Sequence, residues 1–414
     1  MKKCLICSSE STEIIMDFGE MALAGGFLDE SKISSELKYP LRLSYCKVCY
    51  TLQIADIVDK STLFENYFYF SSTIGTLKDH FKELAKEITE RFLKETEQSC
   101  VLEFGCNDGV LLNPLKENNI SKVIGVDPAS NVIETIDNPE LILINDYFTE
   151  EVSKMIVKKY GHQDIIVANN VYAHIDDIQD TTRAIRGSLK KDGVFVFEVH
   201  HLGEIIDGAQ YDFIYHEHVF YHSLSSLKNH FALYDMSIFD AKRIPIHGGS
   251  IRYYVCKNNS KYIDEESSEL ESLKLQEAEK RYCEISTFKN FAETCEVLKE
   301  SLTKLIKDAN ESNKPVIGYG ASGRANTIIQ YCDISSHDMD FIIDDNPNKH
   351  GYLTPGSHIK ILPKESLNEI KEGKCIIIFA WAFADEIMNK LERYLIKGDE
   401  IIIPFPEPKV IKID

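Results

Sequence analysis

No stretch of this sequence approaches the roughly 20 consecutive apolar residues that a membrane span requires, and Met1-Lys2-Lys3-Cys4 lacks the apolar core of a signal peptide. A cytoplasmic protein with no membrane partner is expected. Basic residues are also scarce: 46 Lys and Arg stand against 66 Asp and Glu, a net charge of -20. A surface of that sign repels nucleic acid and anionic lipid unless a local basic patch intervenes, so nucleic acid is not an expected partner. Reducing conditions disfavour disulfides, and the 11 cysteines read as thiols or metal ligands. What remains is an ordinary globular balance, 43% hydrophobic and 27% charged, over 414 residues. That length exceeds what one hydrophobic core organises, and two or three domains are expected.

Four of the cysteines form two turns, Cys4-x-x-Cys7 and Cys46-x-x-Cys49, separated by strand formers such as Leu41-Arg42-Leu43-Ser44-Tyr45. Each turn aims two thiolates at one point, and two turns complete the closed tetrahedral shell of structural zinc. The alternative is a pair of redox dithiols, or unbound thiols in a small lobe. A catalytic metal is disfavoured, because four thiolates leave no open position for a substrate.

Apolar residues Leu77, Phe81, Leu84, Ile88 and Phe92 recur at helical spacing. A buried strand follows, Cys100-Val101-Leu102-Glu103-Phe104, which runs into Gly105, Cys106, Asn107, Asp108 and Gly109. The next apolar run, Lys122 to Val126, ends in Asp127, where a carboxylate can accept bonds from ribose hydroxyls. The loop reads E-x-G-x-N-D-G, with acids where a dinucleotide site places further glycines for pyrophosphate. A carboxylate near the ligand suits a cationic nucleoside, and S-adenosylmethionine has that charge. Two further strands match a methyltransferase sheet: one ends in Asn169-Asn170, the other spans Gly193 to Val199. Asp146 and Tyr147 then fall where the adenine is held.

Beyond Glu198 the chain reads Tyr211-Asp212-Phe213-Ile214-Tyr215-His216-Glu217-His218-Val219-Phe220-Tyr221-His222. So dense a group of titratable side chains marks the expected reaction centre, since histidine titrates near neutral pH and a carboxylate can orient it. The pattern is not His-Glu-x-x-His, because Glu217 is flanked directly by His216 and His218. A second glycine turn, Gly318-Tyr319-Gly320-Ala321-Ser322-Gly323, follows a strand and opens a helix, with Asp344-Asp345 ending the next strand. By spacing this is a dinucleotide fingerprint. It sustains a rival reading, an NAD-dependent sugar-nucleotide oxidoreductase or epimerase.

The whole chain resembles the deoxysugar C-methyltransferases, which use S-adenosylmethionine to branch nucleotide-linked 4-keto-6-deoxysugars. The resemblance rests on the paired CxxC turns, Tyr67-x-Tyr69-x-Ser71-Ser72, E-x-G-x-N-D-G, Tyr215-His216-Glu217-His218 and His247-Gly248-Gly249-Ser250-Ile251-Arg252. It continues through Gly320-Ala321-Ser322-Gly323-Arg324, Asp344-Asp345-Asn346-Pro347-Asn348-Lys349, Pro355-Gly356 and Ala380-Trp381. It implies that His218 is the general base, that Tyr215 and Glu217 place the sugar or assist proton movement, and that Tyr67 and Tyr69 close over the site. It further implies that Ser71, His247, Gly249 and Arg252 line the substrate, and that the C-terminal domain holds its nucleotide and diphosphate, with Arg324 on phosphate and Lys349 nearby. Two departures stand out: Phe70, where some members place histidine, and Ala22-Leu23-Ala24-Gly25-Gly26, where a proline is usual.

The expected architecture is α/β: a zinc lobe over residues 1–72, a class I (Rossmann-like) methyltransferase domain over 73–256, a helical connection over 257–312 and a second Rossmann-like domain over 313–414. Expected ligands are S-adenosylmethionine bound by Glu103, Gly105, Asn107, Asp108, Asp127, Asp146, Tyr147 and Asn169, a structural zinc on the four cysteines, and a nucleotide sugar. A monomer or weak homo-oligomer is expected. Transfer to a sugar oxygen, and a binding protein built on inactive folds, are the remaining alternatives.

Overall fold

Three sheets divide the chain in the computed structural model, which describes residues 3–64, 70–73, 75–246, 248–371 and 373–414. The N-terminal sheet is antiparallel, with β1 (Thr12–Ala22), β2 (Lys38–Cys46) and β3 (Leu52–Ile54) in sequence order. Its fourth strand, β9 (Phe220–Tyr221), arrives from the middle of the chain and pairs with β3. The Ile54 N–H extends this contact by donating to the Val219 carbonyl at 2.9 Å. The lobe expected to end at residue 72 therefore borrows an edge from the middle domain.

The central sheet is built on β4 (Cys100–Phe104), β5 (Lys122–Val126), β6 (Ile142–Ile144), β7 (Gln163–Asn169) and β8 (Leu189–His200), extended by β10 (Met236–Ile244) and β11 (Ser250–Lys257). The strand order is β10-β11-β8-β7-β4-β5-β6. β6, β5, β4, β7 and β8 pair in parallel, whereas β11 and β10 add antiparallel. Every residue of β4 is buried, as a parallel strand covered on both faces requires. The helix Gly75–Phe92 contributes one cover by burying Leu77, Phe81, Leu84, Ala85 and Ile88. Chain order reverses between β4 and β7, and an open α/β sheet binds its ligand in the crevice at the C-terminal ends of the strands on either side of such a switch.

Two helices, Ser268–Lys280 and Ile285–Glu311, follow. The longer buries Phe288, Phe291, Cys295, Leu298, Leu302, Ile306 and Ala309, a single stripe at helical spacing. In the shorter, Leu270 and Leu273 are buried but Leu275 is 64% exposed, because residues two apart cannot share a helix face. The third sheet comprises β12 (Val316–Tyr319), β13 (Phe341–Ile343), β14 (Ile361–Leu362), β15 (Cys375–Ile378), β16 (Glu400–Ile403) and β17 (Lys409–Lys412), ordered β14-β13-β12-β15-β16-β17. Only β17 runs antiparallel.

The loop leaving β1 docks on this third domain. Asn326 Nδ2 donates to the Ala24 carbonyl at 2.6 Å, Gln330 exchanges hydrogen bonds with the Ala22 backbone, and Leu28 bridges to Leu353. Glu36 reaches across to the Gly356 N–H and His358 Nε2, both at 2.8 Å. Among the described residues, no helix is long and apolar enough to cross a membrane.

Candidate active site

The glycine loop after β4 takes backbone shapes that its sequence requires. Gly105 has φ +66°, and a Cβ there would overlap the Val171 side chain, so only glycine lets the loops after β4 and β7 come so close. Asn107 sits at φ +50° and Gly109 at +76°. Asp127 secures the turn: its Oδ2 accepts the Asn107 N–H at 2.8 Å and its Oδ1 the Ala129 N–H at 2.9 Å. The side chains of Asn107 and Asp108 accept the N–H groups of Ser71 and Ser72 at 2.9 and 3.1 Å. Ser71, expected on the substrate, is thus fastened to the cofactor loop through its backbone.

Beneath this loop lies Glu103, 3% exposed. Its Oε1 accepts from Asn169 Nδ2 at 3.3 Å, whereas its Oε2 is buried with no partner among the described residues. Burial pushes the Glu103 carboxyl well above its ordinary range, and the charges of Asp127 and Asp108 add to this. Burial likewise raises Asp127. The negative charges of Asp127 and Asp108 thus act on the buried Glu103 carboxyl, a setting that favours a positively charged ligand. Asn145 Nδ2 donates to the Asp127 carbonyl at 2.9 Å, Asp146 is exposed, and the Tyr147 ring carries Lys60 Nζ at 4.5 Å from its centre.

His218 stands on the loop before β9. Its Nδ1 lies 2.7 Å from the Phe213 carbonyl; a carbonyl only accepts, so Nδ1 carries the proton and Nε2 keeps its lone pair. Burial holds its pKa well below the usual value, with His174 acting in the same direction. The imidazole is therefore neutral and basic at Nε2. The Tyr215 ring centre is 4.0 Å away, and burial followed by the Glu217 charge pushes its phenol well above 10, so it remains a proton donor. A Cβ on Gly25 would lie 3.5 Å from Glu217 Oε1, which puts the β1 loop against the reaction loop.

The sequence reading missed His174. It lies on the loop that leaves Asn169 and stacks on His218 with centres 5.0 Å apart and on Phe64 at 6.0 Å. Burial lowers its pKa to about 4. The available signal was its place just beyond the C-terminal end of a parallel strand, where open sheets put their functional side chains. Glu198, which ends the parallel part of β8, is held by His80 Nε2 at 2.9 Å and Arg252 at 2.6 Å.

Several expected contacts fall differently. Arg252 is 2% exposed and spends its guanidinium on Glu198 and Glu87, so it braces the sheet rather than lining the substrate. Gly249, at φ +113°, makes room for the Glu204 side chain. Arg324 Nε donates to Asp212 at 2.8 Å and Nη2 lies 2.6 Å from the same oxygen, so one edge of the guanidinium is held within the chain. Lys349 Nζ bonds the Ala321 carbonyl at 2.7 Å and Asp344 at 3.2 Å, closing the second glycine turn on itself. Tyr67, Tyr69 and His247 lie outside the described residues.

At the N-terminus the two cysteine turns converge. Cys4 and Cys49 Sγ atoms are 3.5 Å apart, Cys7 and Cys46 3.6 Å, and all four lie within 4.8 Å of one another. Tetrahedral thiolates around one zinc stand roughly 3.8 Å apart, so the donor set fits that ion. Gln179 of the middle domain steadies the first turn, its Nε2 donating to the Leu5 and Ile6 carbonyls.

A parallel sheet whose switch point carries a glycine loop and clustered acids is the layout of a nucleoside-binding α/β enzyme, and the family models make it a methyltransferase. Three family models match in tandem: a putative zinc binding domain over residues 4–64, a methyltransferase domain over 77–238 and a C-methyltransferase C-terminal domain over 245–406. Along its length the chain is therefore similar to C-methyltransferases. It is 28% identical over 414 residues to C-methyltransferase NovU of Streptomyces niveus, spanning 100% of this chain and 97% of that one. Among solved structures, an S-adenosylmethionine-dependent methyltransferase from Clostridium acetobutylicum matches at 13% identity over 44% of this chain and 92% of its own, with a TM-score of 0.34. One from Anabaena variabilis matches at 13% over 42% and 84%, with a TM-score of 0.33.

Proposed function

We propose that the protein transfers a methyl group from S-adenosylmethionine to a ring carbon of a nucleotide-linked 4-keto-6-deoxysugar. The observation that carries this reading is His218, a neutral imidazole whose Nδ1–H is committed to the Phe213 carbonyl while Nε2 is free to take a proton. Glu103, Asp108, Asp127 and Asn169 hold the cofactor, with Gly105 admitting its approach and Asp146 and Tyr147 at its adenine end. The bound cofactor supplies an electrophilic methyl group on a sulfonium.

A sugar carbon becomes nucleophilic only when a proton leaves the position beside the keto group. His218 Nε2 takes that proton, and the electron pair of the C–H bond moves toward the keto oxygen. Tyr215, kept protonated, donates to that oxygen as charge develops, which lowers the barrier. The carbon made nucleophilic by His218 and Tyr215 would be the acceptor for the methyl group that bound S-adenosylmethionine would supply, with S-adenosylhomocysteine as the leaving product. Glu217 orients the sugar together with Ser71, and the family resemblance implies further roles on the sugar for Tyr67, Tyr69 and His247. The four cysteines hold a structural zinc and take no part in the chemistry.

The NAD reading finds less support. The carboxylate of Asp344, which would hold a ribose, accepts the Ala321 N–H at 2.9 Å and Lys349. Gly323, at the helix start where pyrophosphate would rest, faces Ala24 of the docked β1 loop: a Cβ on Gly323 would lie 3.5 Å from the Ala24 Cβ. The deciding experiment supplies 13C-methyl S-adenosylmethionine and a panel of nucleoside-diphosphate 4-keto-6-deoxysugars in deuterated water. A carbon-bound methyl signal is expected on a carbon that has lost its hydrogen, and deuterium should enter that position of unmethylated substrate when S-adenosylhomocysteine replaces the methyl donor. Only methoxyl products, or hydride transfer from NADH without methylation, would overturn the proposal.

A further inference from the structure

Asp212 takes no part in the chemistry above, yet it is fully buried, and one of its oxygens accepts two hydrogen bonds and an ion-pair contact while Oδ1 has no hydrogen-bond partner among the described residues. Its Oδ2 lies 2.8 Å from Arg324 Nε, 2.6 Å from Arg324 Nη2 and 2.9 Å from Trp381 Nε1. All three come from the C-terminal domain: Arg324 from the first turn of the helix Gly323–Tyr331, Trp381 from the turn beyond β15. The guanidinium also lies over the Phe213 ring at 3.8 Å and is 4.9 Å from the Trp381 ring centre. Asp212 and Phe213 share one short turn, Tyr211–Phe213. The carbonyl at the end of that turn fixes the His218 tautomer.

The geometry points to Asp212 as a positioning residue: by gripping Arg324 and Trp381 it sets the Tyr211–Phe213 turn, so that the Phe213 carbonyl holds His218 with its proton on Nδ1 and its lone pair on Nε2. The inference rests on the reading of His218 as the base. Domain docking alone does not call for this carboxylate. Tyr211 already packs on Tyr331 and Phe405 at 5.0 Å each and approaches Cys332 Sγ at 3.5 Å, and burying a charge costs stability unless its partners are in place. What the charge adds is a directional hold, two hydrogen bonds and an ion-pair contact converging on the turn whose Phe213 carbonyl meets the base. The C-terminal domain thereby takes part in aligning the base.

The test uses the full chain, 15N-labelled at histidine, with Asp212→Asn, Trp381→Phe and Arg324→Lys compared by long-range 1H–15N spectra of the imidazoles. His218→Gln assigns the His218 signals. A single Nδ1–H pattern is expected in the wild type and a mixture of tautomers in Asp212→Asn, with a smaller shift in the same direction for Trp381→Phe and Arg324→Lys. S-adenosylhomocysteine affinity should stay within about twofold. Turnover should fall roughly 100-fold with KM little changed, as expected when a catalytic group loses alignment. If Asp212→Asn fails to fold, the two milder variants decide. An unchanged His218 pattern in folded variants overturns the inference, whether or not turnover falls. A shifted pattern in a protein that methylates no keto sugar supports the inference and removes the proposed substrate instead.

Discussion

His218 is half-buried and held in its neutral form, and two measurable consequences follow at the scale of single residues. Because its pKa is held well below the usual 6.5, the acid limb of methyl transfer should lie below pH 6.5, and a kcat–pH profile showing half-loss at or above that value would contradict the assignment. His218→Gln should cut kcat by about 10²–10⁴, the range of general-base catalysis, while calorimetry shows S-adenosylhomocysteine binding almost unchanged. The same burial affects stability. His174 is depressed to about 4, and His222 and His230 to about 3. In each case the unfolded chain binds the proton more readily than the fold. Their contribution is therefore complete above about pH 6.5 and is lost as pH falls toward 3–4, so the urea midpoint should decline steadily on acidification below 6.5. Glu103 has the opposite sign: its raised pKa disfavours the apo fold once pH exceeds the ordinary carboxyl range, a cost that a cationic ligand offsets. Glu103→Gln should accordingly weaken cofactor binding by about 2 kcal/mol, roughly 30-fold, and a calorimetric loss under threefold would remove Glu103 from the site.

At the scale of elements, what could be read in advance followed burial. β4, β5 and β7 are covered on both faces, so their apolar runs stand out in the chain, and the glycines after β4 mark the turn that holds the loop. Gly105→Ala should cost about 3 kcal/mol, combining a left-handed backbone with overlap on Val171. Urea unfolding measures this, and a near-neutral result would show that the loop has room to spare. Short elements gave no such signal. β9 is two residues long, and nothing in Phe220-Tyr221 announces pairing with β3 some 170 residues earlier. The arginines misled for a related reason. Arg252 and Arg324 occupy motif positions that suggest phosphate or sugar, but whether a guanidinium meets a ligand or a buried carboxylate depends on tertiary neighbours, Glu198 in one case and Asp212 in the other. His174 was hidden likewise, since its importance comes from stacking on a residue far along the chain.

At the scale of the whole molecule, the thiolate centre and the reaction loop belong to one continuous structure, because the strand that begins just beyond His218 completes the cysteine-bearing sheet. Metal binding is coupled to folding in lobes with little core of their own. Stripping the ion with a chelator should therefore abolish methyl transfer although no thiolate touches substrate, and metal analysis alongside activity should show both falling together. Full activity in metal-free protein would separate the two. The shared strand also constrains how such enzymes can be recombined. A hybrid that exchanged only the first seventy or so residues with a relative would leave Phe220 and Tyr221 facing a foreign edge, with the base displaced by any mismatch. Functional chimeras should require that the cysteine-rich sheet and the segment from Tyr211 to His222 travel together, so the natural unit of inheritance in this chain is discontinuous.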